Sequence, residues 1–496
     1  MTQRHADWKQ LLAVVCLAAL GGAFSIASAA ESAFVGSQSC NSVSCHGRAE
    51  PRRVAGGISG ASLQEFALYS RHDPHAGAAK TLASAEFQAI VSRLSERKGG
   101  PSSAEVYRQC AQCHDPEGIA AADQSAERLI PVEPSHGISS RGISCESCHG
   151  GGKNWLATHY ERDVSRSSLV AAGMRDTKDL KVRAELCASC HVGGAERNVH
   201  HDLLAAGHPP LRFELAAYHR KLTSHDEGGK QSHWNDALER IGTKDFEVKL
   251  WEAGRIASAK ATLTLLESRA HRAALEIKES DSTSISWPEF AEYDCFSCHQ
   301  KLRPADRESS RLPTSIPEWG KWNLAFVSAS AEAKDAKELS PLRAEMKKAF
   351  TAEPAAVEVQ AANAQRTLIP SLFQVTASSG ELLELLELPS AARNSWETIC
   401  QRYLAHRALQ KSIGDEFKKL ELAGQVSVAE RTEFDGERRR VDRDLAAIAK
   451  TLSFSSSKSE WPSVFMDADG LVKVESELAA TAGRLRKLQQ SLGPSR

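Results

Sequence analysis

Apolar and polar positions along this chain follow two different rules. Between residues 244 and 279 the apolar set Phe246, Leu250, Ile256, Leu263, Leu266 and Leu275 recurs at helical spacing, which predicts one long amphipathic helix. Helical punctuation is equally clear towards the C-terminus. Ser378-Ser-Gly-Glu381 is a capping box whose helix closes before Pro389. A helix from about Ser395 carries Trp396, Ile399, Cys400, Tyr403 and Leu404 on one face. Gly424 stops it and Ser427-Val-Ala-Glu430 caps the next, so a helical hairpin follows. Upstream of residue 244 the periodicity breaks into short pieces separated by loops rich in Gly, Pro and Ser. The clearest piece starts at a capping box, Ser62-Leu-Gln-Glu65, runs through Phe66, Leu68 and Tyr69, and delivers His72 and His75. Pro304, Pro313 and Pro317, set among charges and serines, mark a linker over 301–320.

At the N-terminus, Arg4 and Lys9 precede an apolar run from Leu11 to about Phe24, and the small residues Ser28-Ala29-Ala30 follow. This order reads as a secretory signal over 1–30. The run is short and contains Gly21-Gly22, so a cleaved signal is expected, with no stable membrane insertion of the mature chain. The expected location is the periplasm or another exported compartment. A length of 496 residues allows two or three domains, and a formal charge of −1 argues against nucleic acid as a partner.

The broken region is where the cysteines lie. Cys110-Ala-Gln-Cys113-His114, Cys145-Glu-Ser-Cys148-His149, Cys187-Ala-Ser-Cys190-His191 and Cys295-Phe-Ser-Cys298-His299 each repeat the CxxCH signal. Two thiols at this spacing can each bond one vinyl group of a haem, and the adjoining histidine reaches the iron. A single copy would fit half a zinc ribbon or a redox dithiol; repetition with histidine each time favours haem. Cys40-Asn-Ser-Val-Ser-Cys45-His46 is a longer version with four residues between its thiols, for which an ordinary disulfide is the competing reading. Of twelve cysteines, ten fall in these five signals, and Cys16 and Cys400 remain. No disulfide framework is left to explain.

The expected fold is mainly α with little strand. A pentahaem cytochrome c domain over 31–300, with a core of stacked haems, would be followed by the linker over 301–320 and a helical domain over 321–496. Porphyrin faces would supply the apolar surface that aliphatic side chains supply elsewhere.

Several features resemble the cytochrome c-554 family, tetrahaem proteins of ammonia oxidisers that accept electrons from hydroxylamine oxidoreductase. His75-Ala-Gly-Ala-Ala-Lys-Thr-Leu82 matches its early His-Ala-x-Ala pattern. Gly142-Ile-Ser-Cys-Glu-Ser-Cys-His-Gly150 and a histidine ten residues after His149 match as well. The resemblance covers roughly residues 34–195 and implies haem c as cofactor. It implies that His159 is the distal ligand of the first haem, opposite His46, and that His75 is the distal ligand of the third, opposite His149. This chain departs from the family at Val182, where the family places the distal ligand of the fourth haem. His201 and His208, in Val199-His-His-Asp-Leu-Leu-Ala-Ala-Gly-His208, are then candidates for the fourth and fifth haems in unresolved order. In the family the second haem, here that on His114, has no distal protein ligand. His136 lies between the second and third signals and is a candidate to close it.

Most remaining histidines have ordinary readings. His72 reads as a surface residue and His200 as a neighbour of a haem propionate. His219, His225 and His233 are held in reserve, and His271 and His406 read as surface or packing residues. Cys400 reads as a small buried residue, and the tryptophans as core. Two functions compete. The first is an electron carrier with five covalent haems that serves redox protein partners, with the C-terminal helices available for docking. The second is an oxidoreductase acting on a small nitrogen or sulfur compound at a five-coordinate haem on His114. The second alone would make the chain an enzyme. There is no CxxCK signal of the kind that marks the catalytic haem of pentahaem nitrite reductases.

Overall fold

The computed structural model describes residues 34–50, 63–97, 99–119, 142–223, 240, 242–279, 287–293, 319–325, 338–374, 377–388, 395–453 and 468–493. Among these the expected mainly α architecture is borne out. Helices and short 3-10 turns carry the fold, no strand is present, and only two isolated bridges occur, Gly194 with Arg197 and Tyr293 with Trp319. The segment expected to be a signal and most of the expected linker lie outside the described residues.

The cysteine-rich region is built from short helices: α1 (Glu65–His72), α2 (Ala85–Ser95), α3 (Ser103–His114), α4 (Cys145–His149), α5 (Arg166–Ala171), α6 (Leu180–His191), α7 (His201–Ala206) and α8 (Leu215–Thr223). Their starts are set by short polar side chains that accept from otherwise orphaned amides. Ser84, Ser102, Ser144, Ser165 and Asp179 all do so. The box expected at Ser62 falls on a residue outside the described ones. Gln64 is the N-cap without a side-chain bond, and the Glu65 carboxylate meets His46 Nδ1 and accepts from the Leu63 amide.

The expected long helix is α9 (Phe246–Glu279), and it is the hub of the packing. Its first half shares a core with Ala184 and Ala188 of α6, Leu215 and Ala216 of α8, and with later helices described below. Its second half turns Ile256, Ala259, Leu263, Leu266 and Ala270 towards a different partner. Leu275 falls off that stripe and is exposed.

Beyond α9 come α10 (Lys321–Leu324), α11 (Ser340–Met346), α12 (Pro354–Leu372), α13 (Ser379–Glu387), α14 (Trp396–Leu422), α15 (Val428–Leu452) and α16 (Ala468–Gln490). The boxes at Ser378 and Ser427 form as expected. Leu388, the residue before Pro389, is extended at the end of α13, as a following proline ring requires. Gly424 takes a φ of 69° just past α14, a left-handed turn that glycine adopts without strain. The hairpin of α14 and α15 is closed by Phe417 stacked on Phe434 at 3.7 Å. Val357, Ala361, Ala364 and Leu368 of α12 fill the second half of α9. Leu382 and Leu386 of α13, with Leu409 and Ile413 of α14, join the first half. Residues from both sides of 301–320 therefore share one core.

Candidate haem sites

Each described CxxCH signal sits at a helix end, and that position is what makes it a site. In α3 and α6 the signal is the last turn, and in α4 it is the whole helix. Cysteines three apart lie on one helical face, and the histidine four after the first cysteine follows one turn on. The first site reaches the same closure without a regular helix. The His46 amide donates to the Cys40 carbonyl at 3.1 Å, while Cys45 and Gly47 amides turn back to the Ser42 carbonyl. An α-helix would give that same bond between the histidine and the first cysteine of CxxCH. The two extra residues are thus looped out as a turn. Gly47 permits it, since a Cβ there would run into the Asn41 carbonyl.

The histidines share a pattern of anchoring. His46 Nδ1 meets Glu65 Oε2 at 2.8 Å, His75 Nδ1 meets Asp73 Oδ1 at 2.8 Å, and His114 Nδ1 meets Thr81 Oγ1 at 2.9 Å. His159 Nδ1 donates to the Leu156 carbonyl at 2.7 Å and His208 Nδ1 to the Pro209 carbonyl at 2.8 Å. Fixing Nδ1 orients the ring and leaves Nε2 to bind a metal, which is how protein metal ligands are usually held. The Glu65 hydrogen bond raises the His46 pKa against the opposing effect of burial. For His75, burial pulls down, and the Asp73 hydrogen bond and charge outweigh it, so the net shift is upward. Burial lowers His114, and it pushes His191 down to about 4 with help from His75 and His114. His191 is therefore neutral near pH 7, the form that coordinates iron.

Ring positions bring some predicted partners together. His46 and His159 lie 6.3 Å apart between centroids, with planes inclined by 23°. Two imidazoles that share one metal through bonds of about 2 Å have centres roughly 6 Å apart, so this pair has the spacing of axial ligands. His75 lies 5.9 Å from His191 at an angle of 79°, a second pair at that spacing. Phe213 stacks on the His191 ring at 5.0 Å. His208 follows α7 after Gly207, and a charge on it depresses protonation of His114.

The sites also approach each other in twos. The Cys40 thiol lies close enough to that of Cys145, and the Cys113 thiol to that of Cys190, for the titration of each to depend on the other. First and third sites are thus neighbours, as are second and fourth. None of the described cysteines forms a disulfide, and no three His, Cys, Asp or Glu side chains among the described residues gather as a metal-ion cage. Cysteine pairs in register with an oriented histidine fit covalent haem better than zinc.

Other candidates take other roles or lie elsewhere. Cys295, Cys298, His299, His136, His225 and His233 lie outside the described residues. His201 donates its amide to Glu289 Oε1 at 2.7 Å and sets its ring edge-on to Phe290. His200 accepts from the Leu203 amide as the cap of α7. His72 and His271 are exposed, His219 and His406 are buried, and Cys400 is buried on α14. Glu146, inside the third signal, is a residue that motif reading passed over. Its carboxylate accepts from the amides of Val35 at 2.8 Å, Gly36 at 2.7 Å and Gly152 at 2.7 Å, which ties the first site to the third.

Residues 62–150 match a protein-family model described as cytochrome c554 and c-prime. That span holds the second and third signals and His75. No match was found among curated proteins or among solved structures.

Proposed function

From the likeness of residues 62–150 to the cytochrome c554 and c-prime family, we propose that the chain is a c-type cytochrome with covalently bound haem and an electron-transfer role, an exported, periplasmic pentahaem relay between redox proteins. The observation that carries this reading is the approach of the sites in twos, Cys40 against Cys145 and Cys113 against Cys190. A relay needs neighbouring redox centres, and these contacts put the attachment points of the first and third, and of the second and fourth, side by side.

Cys40 and Cys45, Cys110 and Cys113, Cys145 and Cys148, Cys187 and Cys190, and Cys295 and Cys298 would hold the haems. His46, His114, His149, His191 and His299 would be the proximal ligands. When bound, haem c supplies an iron that takes up and releases single electrons at a potential set by its surroundings. The residues provide those surroundings. Glu65 and Asp73 hold His46 and His75 by Nδ1, which fixes each ring and raises its basicity. His159 faces His46 at ligand spacing. For His75, the ring position adds His191 as a candidate counterpart beside the His149 that the family resemblance implies. His208 remains a distal candidate that no ring contact among the described residues assigns to a given iron. His201 and His136 remain candidates for the other positions.

Carbon monoxide binding to the dithionite-reduced holoprotein tests the relay. Irons with two histidines leave no site for it, so the Soret band is expected not to shift. A shift, with a high-spin ferric signal that vanishes in His114→Ala while the other haems stay, would instead make that iron a catalytic centre.

A further inference from the structure

One face of α9 carries a run of buried polar groups with donor atoms that bond to nothing. Trp251, Arg255, Ser258 and Thr262 follow each other by four, three and four residues, which returns each to the same side of the helix. Their exposures are 0%, 1%, 1% and 5%, and Trp251 Nε1, Arg255 Nε and Nη1, Ser258 Oγ and Thr262 Oγ1 all lack a hydrogen-bond partner. A buried donor left unmade is costly, and a buried cation without a counter-charge more so.

The helix supplies its own control. Arg269, seven residues after Thr262 on the same face, is buried to a similar depth and fully paired. It binds Glu292 Oε1 at 2.5 Å, Asn198 Oδ1 at 3.1 Å and the Val199 carbonyl at 3.0 Å. Arg255 has only Nη2 engaged, to the carbonyls of Trp322 at 2.9 Å and Ala325 at 2.6 Å. The carboxylate whose charge reaches it, Glu214, spends its oxygens on the amides of Ala216 and Ala217 at 2.8 Å each. Burial pushes the Arg255 guanidinium down to about 10, still charged near neutral pH. The face is one anion short.

We propose that Arg255, with Ser258 and Thr262, receives a propionate carboxylate of the haem held by Cys187, Cys190 and His191. A chain of contacts joins the two. Phe213 stacks on His191, its carbonyl accepts from Trp322 Nε1 at 2.9 Å, and the Trp322 carbonyl accepts from Arg255. α6, which carries that signal, packs along α9 through Ala184 and Ala188. The free Nη1 can donate to one carboxylate oxygen, and the two hydroxyls a turn further on can donate to the other. The cation would hold that haem's potential up.

This rests on haem attachment at Cys187 and Cys190, which mass spectrometry of the haem peptides from the wild-type holoprotein checks first. Absence of haem there removes the attachment reading and the inference with it. With haem present, spectropotentiometric titration of Arg255→Gln is expected to show one midpoint potential lowered and the others unmoved. Arg255→Lys should restore most of the shift, and Ser258→Ala with Thr262→Val should give a smaller one in the same direction. A Cys187→Ala/Cys190→Ala background should abolish the response. A response that survives in that background assigns the carboxylate to another haem and overturns the proposal. Unmoved potentials in Arg255→Gln, or in the hydroxyl variant if Arg255→Gln fails to accumulate, overturn it as well.

Discussion

The cysteine-rich region and the C-terminal helices are held together by different means. From residue 338 onward, leucines, isoleucines and alanines on facing helices close a dry core: Leu382 and Leu386 against Leu409 and Ile413, and Ile399 against Ile448 and Leu478. Before residue 224 the apolar cluster away from α9 is small, Leu82, Phe87, Val91, Leu94, Val106 and Tyr107 with α7. Buried carboxylates do much of the joining there. Glu146 clamps Val35, Gly36 and Gly152, Asp115 accepts from the Gly118 and Gly142 amides, and Glu117 accepts from Ser144 and Ser147. A chain that cannot close an aliphatic core here instead clamps its loops around sites that thiols and histidines define. On the proposed reading, haem would take here the structural part that leucine takes elsewhere.

Removing Cys145 and Cys148 together should separate the two regions most. One covalent haem is lost, and amides of residues 34–223 lose exchange protection far more than those of α14–α16. Equal loss in both would contradict the division. Leu409→Ala and Glu146→Ala then form a mirrored pair. Leu409→Ala should cost about 2–5 kcal/mol in a denaturant titration with the haem count unchanged. Glu146→Ala leaves three amides without an acceptor and should cost roughly 3 kcal/mol, with the disturbance centred on the first and third sites.

A pH titration sharpens the contrast on the C-terminal side. His406 is fully buried between the Arg402 and Leu478 carbonyls, and burial pushes it down to about 4 from an ordinary 6.5. The unfolded chain therefore binds more protons between those values, and stability is lost as pH falls through them, by roughly 3 kcal/mol in all. His406→Gln should flatten that part of the pH profile of α14–α16 unfolding, and an unchanged slope would refute the assignment. The smallest effect expected is from Ser427→Ala, about 1 kcal/mol, read as earlier fraying of α15 with every haem signal unchanged.

Legibility in the sequence followed the same division. α9, α13, α14 and α15 were marked by periodicity, boxes and Gly424, because one residue type at a known spacing decides each of these. α12 was missed: its interior Pro370 and its many alanines blur the apolar stripe. α16 was missed as well, because its helical period is carried by Leu471, Val474, Leu478 and Leu485 without a capping signal within the described residues. In the cysteine region the candidate attachment residues came from spacing, and the placing of His46 beside His159 from family resemblance. The approach of His75 to His191 and the clamp of Glu146 were not legible. Both depend on contacts between segments far apart in sequence, and no local pattern encodes them.

The central claim is that the cysteine signals carry haem in a relay, and one sample tests it: the mature ferric protein, with haem quantified as pyridine haemochrome and spin state read by electron paramagnetic resonance. The account predicts five covalent haems per chain, all low-spin. Disulfides joining Cys40 to Cys145 and Cys113 to Cys190, with no haem on those sulfurs, would contradict it.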